Sequence, residues 1–485
     1  MGREIGGWER LSGVILSALF VLLVYRAATQ SLVHDEALTY QMYVAGPLSA
    51  IFTVYDANDH FLSTVLMRAS ATLFGPSEFV LRLPSLAAAG WYFITILRLA
   101  ARALGEGYLI FLATVLAAAN PLVLDFLVAA RGYSIALAFL TYGVYCIVIY
   151  LSQSGSRPGN GSRMLLVRTS IALGLSITAN LTAAIPAFVI ATVLLVTLGA
   201  RRSPDWKYFI LPLGAIVLLF FLFTPVHRAS GANFYYGAPS LTASLNDLAA
   251  VSLGHNDGLG GWNRETSWKP WWRGFVVLVT LAMVVRGIVI GGPVWLNRRR
   301  VTPCDGLLLI ASVTIAGSWC ILIVAHHTIG LLYPLDRTGL YFLPLAGLAI
   351  TGIAAGLRDR PRAIAISRVC AAFAGLIALE YALQLNRTHF YIWRYDADTK
   401  AIVSFLAGRN HAASVRVGAS WPLDPALNYY RERRGLTWLE PLARQGPDGE
   451  YDYYILCEPE QDRIARYQLH VIYRGAVSGT VVAER

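Results

Sequence analysis

Long apolar runs separated by short polar segments extend through the chain as far as about residue 385. A membrane-spanning helix needs about 20 predominantly apolar residues, and the runs are close to that length. Residues 165–200 fit either a helical hairpin or a single long segment, whereas residues 60–74 are short and favour an interfacial or re-entrant helix. The pattern predicts about eleven spanning helices, at residues 10–28, 79–102, 107–125, 130–151, 165–181, 182–200, 207–226, 272–292, 306–326, 338–357 and 362–385.

The cations are divided unevenly between the loops. One alternating set of loops is basic and carries Arg98, Arg102, Arg157, Arg163, Arg168, Arg201, Arg202, Lys207, Arg298, Arg299, Arg300, Arg358, Arg360 and Arg362. Basic loops face the cytoplasm, so the longer and less basic loops at 29–78, 227–271 and 327–337 are expected on the other side. With the amino terminus inside, eleven helices also place the carboxy-terminal residues outside the cytoplasm.

The pattern changes near Asn386. The stretches "SVRVGASWPLDPALNYYRERRG" and "DYYILCEP" alternate between short strand-like and helix-like segments with polar turns. We therefore expect a transmembrane domain at residues 1–385 and a small soluble, extracytoplasmic α/β domain at residues 386–485. The predicted fold class is a polytopic α-helical membrane protein with this appended domain.

Composition supports a membrane protein and excludes some other classes. The 485-residue chain is 56% hydrophobic and only 14% charged, with a mean hydropathy of +0.53, whereas soluble proteins contain about 25% charged residues. The net charge of +11 resides in short loops between apolar runs, so it reports orientation and does not indicate a nucleic-acid partner. The five cysteines are scattered, which argues against a disulfide framework or a zinc site.

Two adjacent acids follow the first apolar run, in the stretch "SLVHDEALTY" at residues 31–40. A carboxylate such as Asp35 or Glu36 can serve as a general base when it is partly desolvated, and two acids together can bind a divalent cation. Acids also favour the first turn of a helix. A solvated loop or a simple helix start is therefore the competing interpretation.

The rest of the first long loop carries an ordered set of short motifs. In residues 55–90 an Asn-x-His segment with Asn58 and His60 is followed by "FGPSE" and then by "RLPS", which begins at Arg82. Together with the leading acid pair, this order resembles the first external loop of the GT-C glycosyltransferases, a superfamily that includes protein O-mannosyltransferases and aminoarabinose transferases. Asp35 matches the catalytic aspartate of that family, and the resemblance implies that Asn58, His60 and Arg82 contribute to substrate binding. "NDHFL" matches the family's "NHPPL"-like segment loosely, since Asp59 is inserted and the prolines are missing.

Two further stretches extend the resemblance. "NPLVLDFLVAARGYSIALAF" contains the Arg-x-Tyr pair Arg131 and Tyr133, and "YPLDRTGLYFLP" places Arg337 before a helix. The family takes its sugar from a polyprenyl phosphate or diphosphate in the membrane, so the resemblance implies that Arg131 or Arg337, or both, bind the donor phosphate. Tyr133 is expected to contribute to the same substrate-binding site. Arginine suits this role because its planar group donates two parallel hydrogen bonds to a phosphate and stays charged. The alternative is that these arginines extend to lipid headgroups.

The resemblance also implies a mechanism. Asp35 would remove a proton from an acceptor hydroxyl as it attacks the sugar, with inversion in a single displacement, because a covalent intermediate needs a second carboxylate placed opposite the first. Glu36 is expected to support it, by orienting the acceptor or by holding an optional divalent cation such as Mg²⁺ or Mn²⁺. No protein metal site is otherwise predicted. His326, His327 and Asp336 could together bind a metal ion, although a polar helix end facing water is the favoured interpretation.

The long loop at 227–271 is rich in aromatic residues, including "NFYYG". Such residues form the interfacial belt of membrane proteins, although they can also stack on sugar rings. The length of the loop is consistent with a lid over a substrate.

Two other functions compete with a lipid-linked sugar transferase. A transporter or flippase of lipid-linked saccharides should show paired repeats and charges in mid-membrane, whereas here the ionisable residues cluster at helix ends. A membrane-anchored binding protein would act through its tail, which carries no site motif. We therefore expect an enzyme of the bacterial inner (plasma) membrane with an extracytoplasmic site, whose acceptor is a glycan, a lipid or a protein.

Overall fold

The computed structural model describes residues 6–105, 107–153, 160–229, 231–253, 269–296, 301–409 and 414–485. Arg157, residues 298–300 and residues 254–268 of the aromatic loop lie outside the described residues. The helices of the described part are α1 (Gly7–Thr29), α2 (His34–Thr39), α3 (Ala50–Thr53), α4 (Phe61–Phe74), α5 (Glu78–Leu104), α6 (Tyr108–Ala118), α7 (Pro121–Val128), α8 (Gly132–Ser152), α9 (Asn160–Ala179), α10 (Ala184–Ala200), α11 (Trp206–Phe223), α12 (Leu241–Leu253), α13 (Lys269–Leu296), α14 (Pro303–Ile329), α15 (Phe342–Leu357), α16 (Ile364–Leu383), α17 (Thr399–Ala407), α18 (Asp424–Arg433) and α19 (Asp462–Arg466).

Apolar helices long enough to cross a membrane dominate this architecture. Among the described residues, eight helical segments meet the requirements of length and hydropathy, and the bent pair α6–α7 makes a ninth. Helices α9 and α15 coincide with the two other predicted segments. The polytopic membrane fold expected from the sequence is therefore confirmed. The segment at 60–74 forms the single 14-residue helix α4.

Polar side chains mark the places where the spanning helices break. Asn120 accepts a hydrogen bond from the backbone N–H of Val123 at 3.1 Å, and Pro121 occupies the first position of α7, a favourable place for proline. Helices α6 and α7 consequently meet at an angle of 60°. Asn180 separates α9 from α10 and caps the following turn, where its side chain accepts from the N–H of Thr182 at 2.9 Å. Residues 165–200 thus form two helices, as in the hairpin interpretation.

Helices α8 and α9 pack closely because small residues lie at their contact. A Cβ atom on Gly132 would lie 1.8 Å from the carbonyl oxygen of Ala179. The Ser176 hydroxyl donates to the carbonyl of Ala136 on the facing helix at 2.8 Å. Gly132 therefore permits the beginning of α8 to touch the end of α9, and this close approach fixes the backbone next to Arg131.

The chain divides into two compact units: residues 1–24, 52–66 and 83–386 form the first, and residues 25–51, 67–82 and 387–485 form the second. The second unit contains a sheet of β1 (Val417–Ala419), β2 (Tyr453–Leu456), β3 (His470–Arg474) and β4 (Val481–Glu484). The strand order is β1-β2-β4-β3. Strands β1 and β2 are parallel, and the other two pairings are antiparallel. The small α/β sheet domain expected near the carboxy terminus is confirmed.

Candidate functional site

The acid pair lies in the first turn of α2, in the second unit. Asp35 is 6% exposed and Glu36 is fully buried. The helix begins directly after the extended residue Val33, so both acids sit beside its first backbone N–H groups, where negative charge is favoured. The pair is therefore a buried feature of the fold and not part of a solvated loop.

Glu36 forms a buried ion pair with Arg82 of α5. Arg82 Nε lies 2.9 Å from Glu36 Oε1, and Arg82 Nη2 lies 2.6 Å from Glu36 Oε2. Glu36 Oε2 also accepts the backbone N–H of Val33 at 3.1 Å. The guanidinium and the carboxylate are therefore joined by two hydrogen bonds, in the bidentate arrangement that arginine and carboxylate favour.

The guanidinium of Arg82 also closes the end of α1. It donates to the carbonyl oxygens of Ala27, Gln30 and Ser31 at 3.2, 2.9 and 2.7 Å. The last carbonyls of a helix lack partners within the helix, so a cation at this point satisfies them and favours the helix dipole. Arg82 was predicted to bind substrate, but its guanidinium is instead used to join α1 and α2.

A cavity of about 260 Å³ in the first unit collects the other predicted residues. Its wall is built at one end of the helix bundle, by the segment before α4, the beginning of α8, the turn between α9 and α10, residues 233–236 and the connection between α14 and α15. Five of the predicted substrate-binding residues line it together: Asn58, His60, Arg131, Tyr133 and Arg337.

Arg131 is held in this cavity by Asn58. Its side chain, in a residue only 2% exposed, donates to the backbone carbonyl of Asn58 at 3.2 Å and to the Asn58 side-chain oxygen at 3.0 Å. The backbone of Arg131 is extended at the point where α8 begins. Ser85, from the "RLPS" segment, donates to the carbonyl of Ala129 at 2.8 Å, so this segment supports the turn that carries Arg131.

Arg337 is presented by a constrained turn. The preceding residue, Asp336, has a φ of 36°, a region that residues other than glycine rarely adopt. The Tyr236 hydroxyl donates to the Asp336 carboxylate, and the guanidinium carbon of Arg337 lies 4.3 Å from the centre of the Tyr236 ring. Two backbone hydrogen bonds, of 2.8 and 3.0 Å, connect Ala238 and Tyr333. They join the loop that carries Tyr236 to the loop that carries Arg337.

Burial and charge shift the titration of the cavity residues. Burial raises the pKa of Asp59 to about 7, although a hydrogen bond from Thr64 and the charge of Arg131 oppose the shift. Burial, Arg131 and Arg337 together lower the pKa of His60 well below its usual value, so the imidazole is neutral at pH 7. With two arginines and one partly ionised acid, these residues give the cavity a net positive charge near neutrality.

The cavity is also lined by residues that were not among the predicted site residues. Asn180 and Tyr341 line it, as do Asn233, Phe234, Tyr235 and Tyr236 of the aromatic loop. For the aromatic residues, the sequence did contain a signal. The "NFYYG" cluster was interpreted either as part of the interfacial belt or as a surface that stacks on sugar rings. Asp59 appeared only as an insertion in a family motif, and its position beside Arg131 could not be read from the sequence.

In the described part of the chain, no group of three or more His, Cys, Asp or Glu residues is arranged to hold a metal ion. His326 Nδ1 lies 2.8 Å from the carbonyl oxygen of Leu331, and its ring lies 4.4 Å from that of Tyr333. His326 thus helps to end α14. Asp336, which was expected to face water with the two histidines, is instead buried at 6% exposure, because it accepts a hydrogen bond from the Tyr236 hydroxyl.

The whole-chain fold is similar to that of solved membrane transferases. ArnT from Cupriavidus metallidurans bound to undecaprenyl phosphate matches with a TM-score of 0.52 and 14% identity over 98% of both chains. Its apo state matches with a TM-score of 0.51 and 14% identity over 97% of both chains. ArnT is an aminoarabinose transferase of the GT-C superfamily. The chain therefore shares the fold of these transferases, which is the fold expected from the loop motifs.

A more distant similarity is to the Archaeoglobus fulgidus oligosaccharyltransferase tethered with an acceptor peptide, at a TM-score of 0.44 and 13% identity over 86% of this chain and 63% of that one. Protein-family models and curated protein sequences give no match to this chain.

Proposed function

We propose that this protein is a membrane glycosyltransferase that moves a sugar from a polyprenyl phosphate or diphosphate carrier to an acceptor hydroxyl. The reaction would take place on the extracytoplasmic side of the bacterial inner (plasma) membrane. The observation that carries the proposal is the cavity at one end of the helix bundle, in which Arg131 and Arg337 share a wall with Asn58, His60 and Tyr133. Two arginines with a neutral imidazole and phenols suit a phosphate joined to a sugar.

Arg131 and Arg337 are the proposed ligands of the donor phosphate. Each offers a fixed fork of N–H groups, and neither loses its charge at any physiological pH. When the bond between the sugar and the phosphate breaks, its electron pair stays on the phosphate oxygen, and the nearby cations stabilise this developing charge. The presence of undecaprenyl phosphate in the ArnT structure of the same fold supports this ligand class.

Asp35 is the proposed general base. It would take the proton from the acceptor hydroxyl while the hydroxyl oxygen bonds to the anomeric carbon and the phosphate leaves, so that the configuration at that carbon inverts. Glu36 would act indirectly, because its pair with Arg82 fixes the junction from which Asp35 projects. A divalent cation such as Mg²⁺ or Mn²⁺ would be an optional addition and is not part of this mechanism.

A transporter of lipid-linked saccharides is the alternative. The binding site of a transporter must open alternately to the two faces of the membrane, and it usually lies near the middle of the bilayer. The cavity is instead built from helix ends and loops, including the turn at Arg337 and the break at Asn180. This placement favours an enzyme with one entrance.

A deletion strain tests the proposed function. We expect mass spectrometry of its glycans and lipids to show one lost glycosylated product and an accumulated lipid-linked donor, with the donor accessible from outside the inner membrane. Wild-type protein should restore the product, whereas Asp35→Asn should not. Full restoration by Asp35→Asn would refute the base assignment, and donor accumulation on the cytoplasmic leaflet would favour the flippase.

Purified protein gives a direct test of the phosphate site. In nanodiscs, Arg131→Gln and Arg337→Gln should each weaken undecaprenyl phosphate binding at least about tenfold, since each removes a charge-assisted contact of roughly 1.5–3 kcal/mol. Arg360→Gln removes an exposed arginine of a predicted cytoplasmic loop and is the matched control. Equal binding by all three variants would contradict the phosphate assignment.

A further inference from the structure

The backbone directly before the acid pair is held by side chains from the carboxy-terminal part of the second unit. Tyr430 of α18 accepts the N–H of Leu32 through its hydroxyl oxygen at 2.8 Å. Asp396 accepts the N–H of His34 at 2.7 Å. These two contacts join residues 398 and 362 positions apart in the sequence. The segment that leads into α2 is thus fixed by a distant part of the chain.

Asp396 is a buried carboxylate placed at the beginning of α2. It is fully buried, and its Oδ2 atom receives the His34 N–H, one of the first N–H groups of the helix. Such groups have no acceptor within the helix, so an external side chain must supply one. Asp396 therefore supplies the acceptor that the sequence around His34 does not provide.

Tyr430 links the same segment to a charged pair. Its hydroxyl lies 3.2 Å from Glu78 Oε1, and this oxygen lies 2.8 Å from Lys400 Nζ. The hydroxyl therefore donates to Glu78 while it accepts from Leu32, which fixes the direction of both hydrogen bonds. Ser31 adds a further contact, because its hydroxyl donates to the carbonyl of Ala397 at 3.0 Å.

We propose that Asp396 and Tyr430 are positioning residues that hold the backbone of Leu32 and His34 and thereby fix the orientation of the Asp35 carboxylate. The inference rests on the proposed function of Asp35, and it gives the carboxy-terminal domain a part in catalysis. A general base must lie within hydrogen-bond reach of the proton that it removes. Displacement of a reacting group by about 1 Å can cost roughly a hundredfold in rate.

The chemistry of Asp396 suggests an informative substitution. Burial and the neighbouring carboxylates of Asp35 and Glu36 raise the pKa of Asp396 well above its usual value, which favours the neutral form. Asparagine is neutral and nearly the same shape, and its amide oxygen can accept the His34 N–H. Asp396→Asn should therefore preserve the contact, whereas Asp396→Ala removes it.

Asp398 provides a matched control. Its Oδ2 atom accepts the N–H groups of Val477 and Ser478 at 2.9 and 2.7 Å, and the residue is also buried. It thus performs the same kind of backbone capping, two positions away, without an observed bond to residues 31–36. Asp398→Ala should destabilise the domain without acting on Asp35.

The first measurement is amide hydrogen exchange of the full-length protein in nanodiscs. We expect Asp396→Ala and Tyr430→Phe to accelerate exchange in peptides that cover residues 31–37 at least about tenfold. Asp396→Asn should remain close to wild type, and Asp398→Ala should accelerate exchange near residues 475–480 instead. Unchanged exchange at residues 31–37 in both Asp396→Ala and Tyr430→Phe would overturn the inference.

The second measurement is turnover at equal amounts of folded protein. Asp396→Ala and Tyr430→Phe should lower kcat about ten- to a hundredfold with KM nearly unchanged, and Asp396→Asn should recover most of the loss. An equal loss of kcat in Asp398→Ala would show that only domain stability matters and would overturn the inference. Activity of Asp35→Asn would refute the proposed base, while hydrogen exchange would still decide whether Asp396 and Tyr430 hold the segment.

Discussion

At the scale of residues, the structure separates side chains that contact a cavity from side chains that hold others in place. Arg131 and Arg337 line the cavity, and Asn58 both lines it and accepts two hydrogen bonds from Arg131. Glu36 and Arg82 form a buried ion pair that holds both side chains in place. The residue types were visible in the sequence, but Glu36 and Arg82 are 46 positions apart, and no local pattern reveals which acid meets which base.

Asp59 makes a residue-scale prediction about pH. Because its pKa is raised to about 7, Asp59 gains a proton as the pH falls from 8 to 6, and the cavity loses a negative charge near Arg131. Binding of a polyprenyl phosphosugar analogue should therefore tighten about fivefold towards pH 6, equivalent to roughly 1 kcal/mol at a partly buried site. A phosphodiester probe keeps a constant charge over this pH range. Isothermal titration calorimetry in nanodiscs therefore measures a pH dependence of binding that comes from the protein alone.

Asp59→Asn is the decisive variant for this prediction. It should show the tighter, low-pH affinity at both pH values, because its side chain carries no charge to titrate. Asp359→Asn changes an acid in an exposed loop and should keep the wild-type pH dependence. A pH dependence retained in Asp59→Asn would assign the titration to another group.

At the scale of elements, the breaks between helices determine where the site is built. Hydropathy predicted the positions of the spanning helices, because it depends on the local composition of each segment. It did not predict the 60° bend between α6 and α7, or the turn from Ala129 to Arg131 that places an arginine at the beginning of α8. These features depend on a capping asparagine and on hydrogen bonds with a separate helix.

Gly132 makes the element-scale prediction. In Gly132→Ala the new methyl group would lie 1.8 Å from the Ala179 oxygen and 2.8 Å from the Cβ atom of His60. The Ala179 oxygen belongs to the backbone, which cannot easily move away. The overpacking should cost about 1–3 kcal/mol or more and lower the thermal midpoint of the detergent-solubilised protein. Undecaprenyl phosphate binding should weaken as well, because Arg131 and His60 shift together.

Gly214→Ala is the matched control for this substitution. Gly214 lies in α11, and a Cβ atom there would meet nothing within 4 Å. Alanine favours helix over glycine by roughly 0.8–1 kcal/mol, so the thermal midpoint should stay the same or rise slightly. If Gly132→Ala matched this control, the close approach of α8 and α9 would not matter for stability.

At the scale of the whole molecule, two compact units are drawn from interleaved parts of the chain. Residues 25–51 and 67–82 belong to the same unit as the carboxy-terminal domain, although the sequence analysis separated the chain at residue 386. Composition identified the change in character near Asn386. It could not show that an early loop joins that domain, because this grouping depends on contacts such as those of Asp396 and Tyr430 with residues 32–34.

Membrane orientation is the whole-molecule prediction. The distribution of Arg and Lys predicts that the carboxy-terminal domain lies outside the cytoplasm and that the α15–α16 loop lies inside. In a cysteine-free background, Gln445→Cys should react with a membrane-impermeant maleimide in cells with a permeabilised outer membrane. Asp359→Cys should react only after lysis. Both positions are exposed, so the reverse labelling pattern would invert the proposed topology.

The sequence by itself determined the membrane class, the approximate positions of the spanning helices and the residue types of the cavity. Each of these depends on composition within about 20 residues or on a short motif whose order can be read directly. Only the tertiary structure decided which residues meet: Asn58 with Arg131, Glu36 with Arg82, and Asp396 with the backbone of His34. Such pairings depend on the path of the chain through space, because a hydrogen bond requires proximity and direction whatever the separation in sequence.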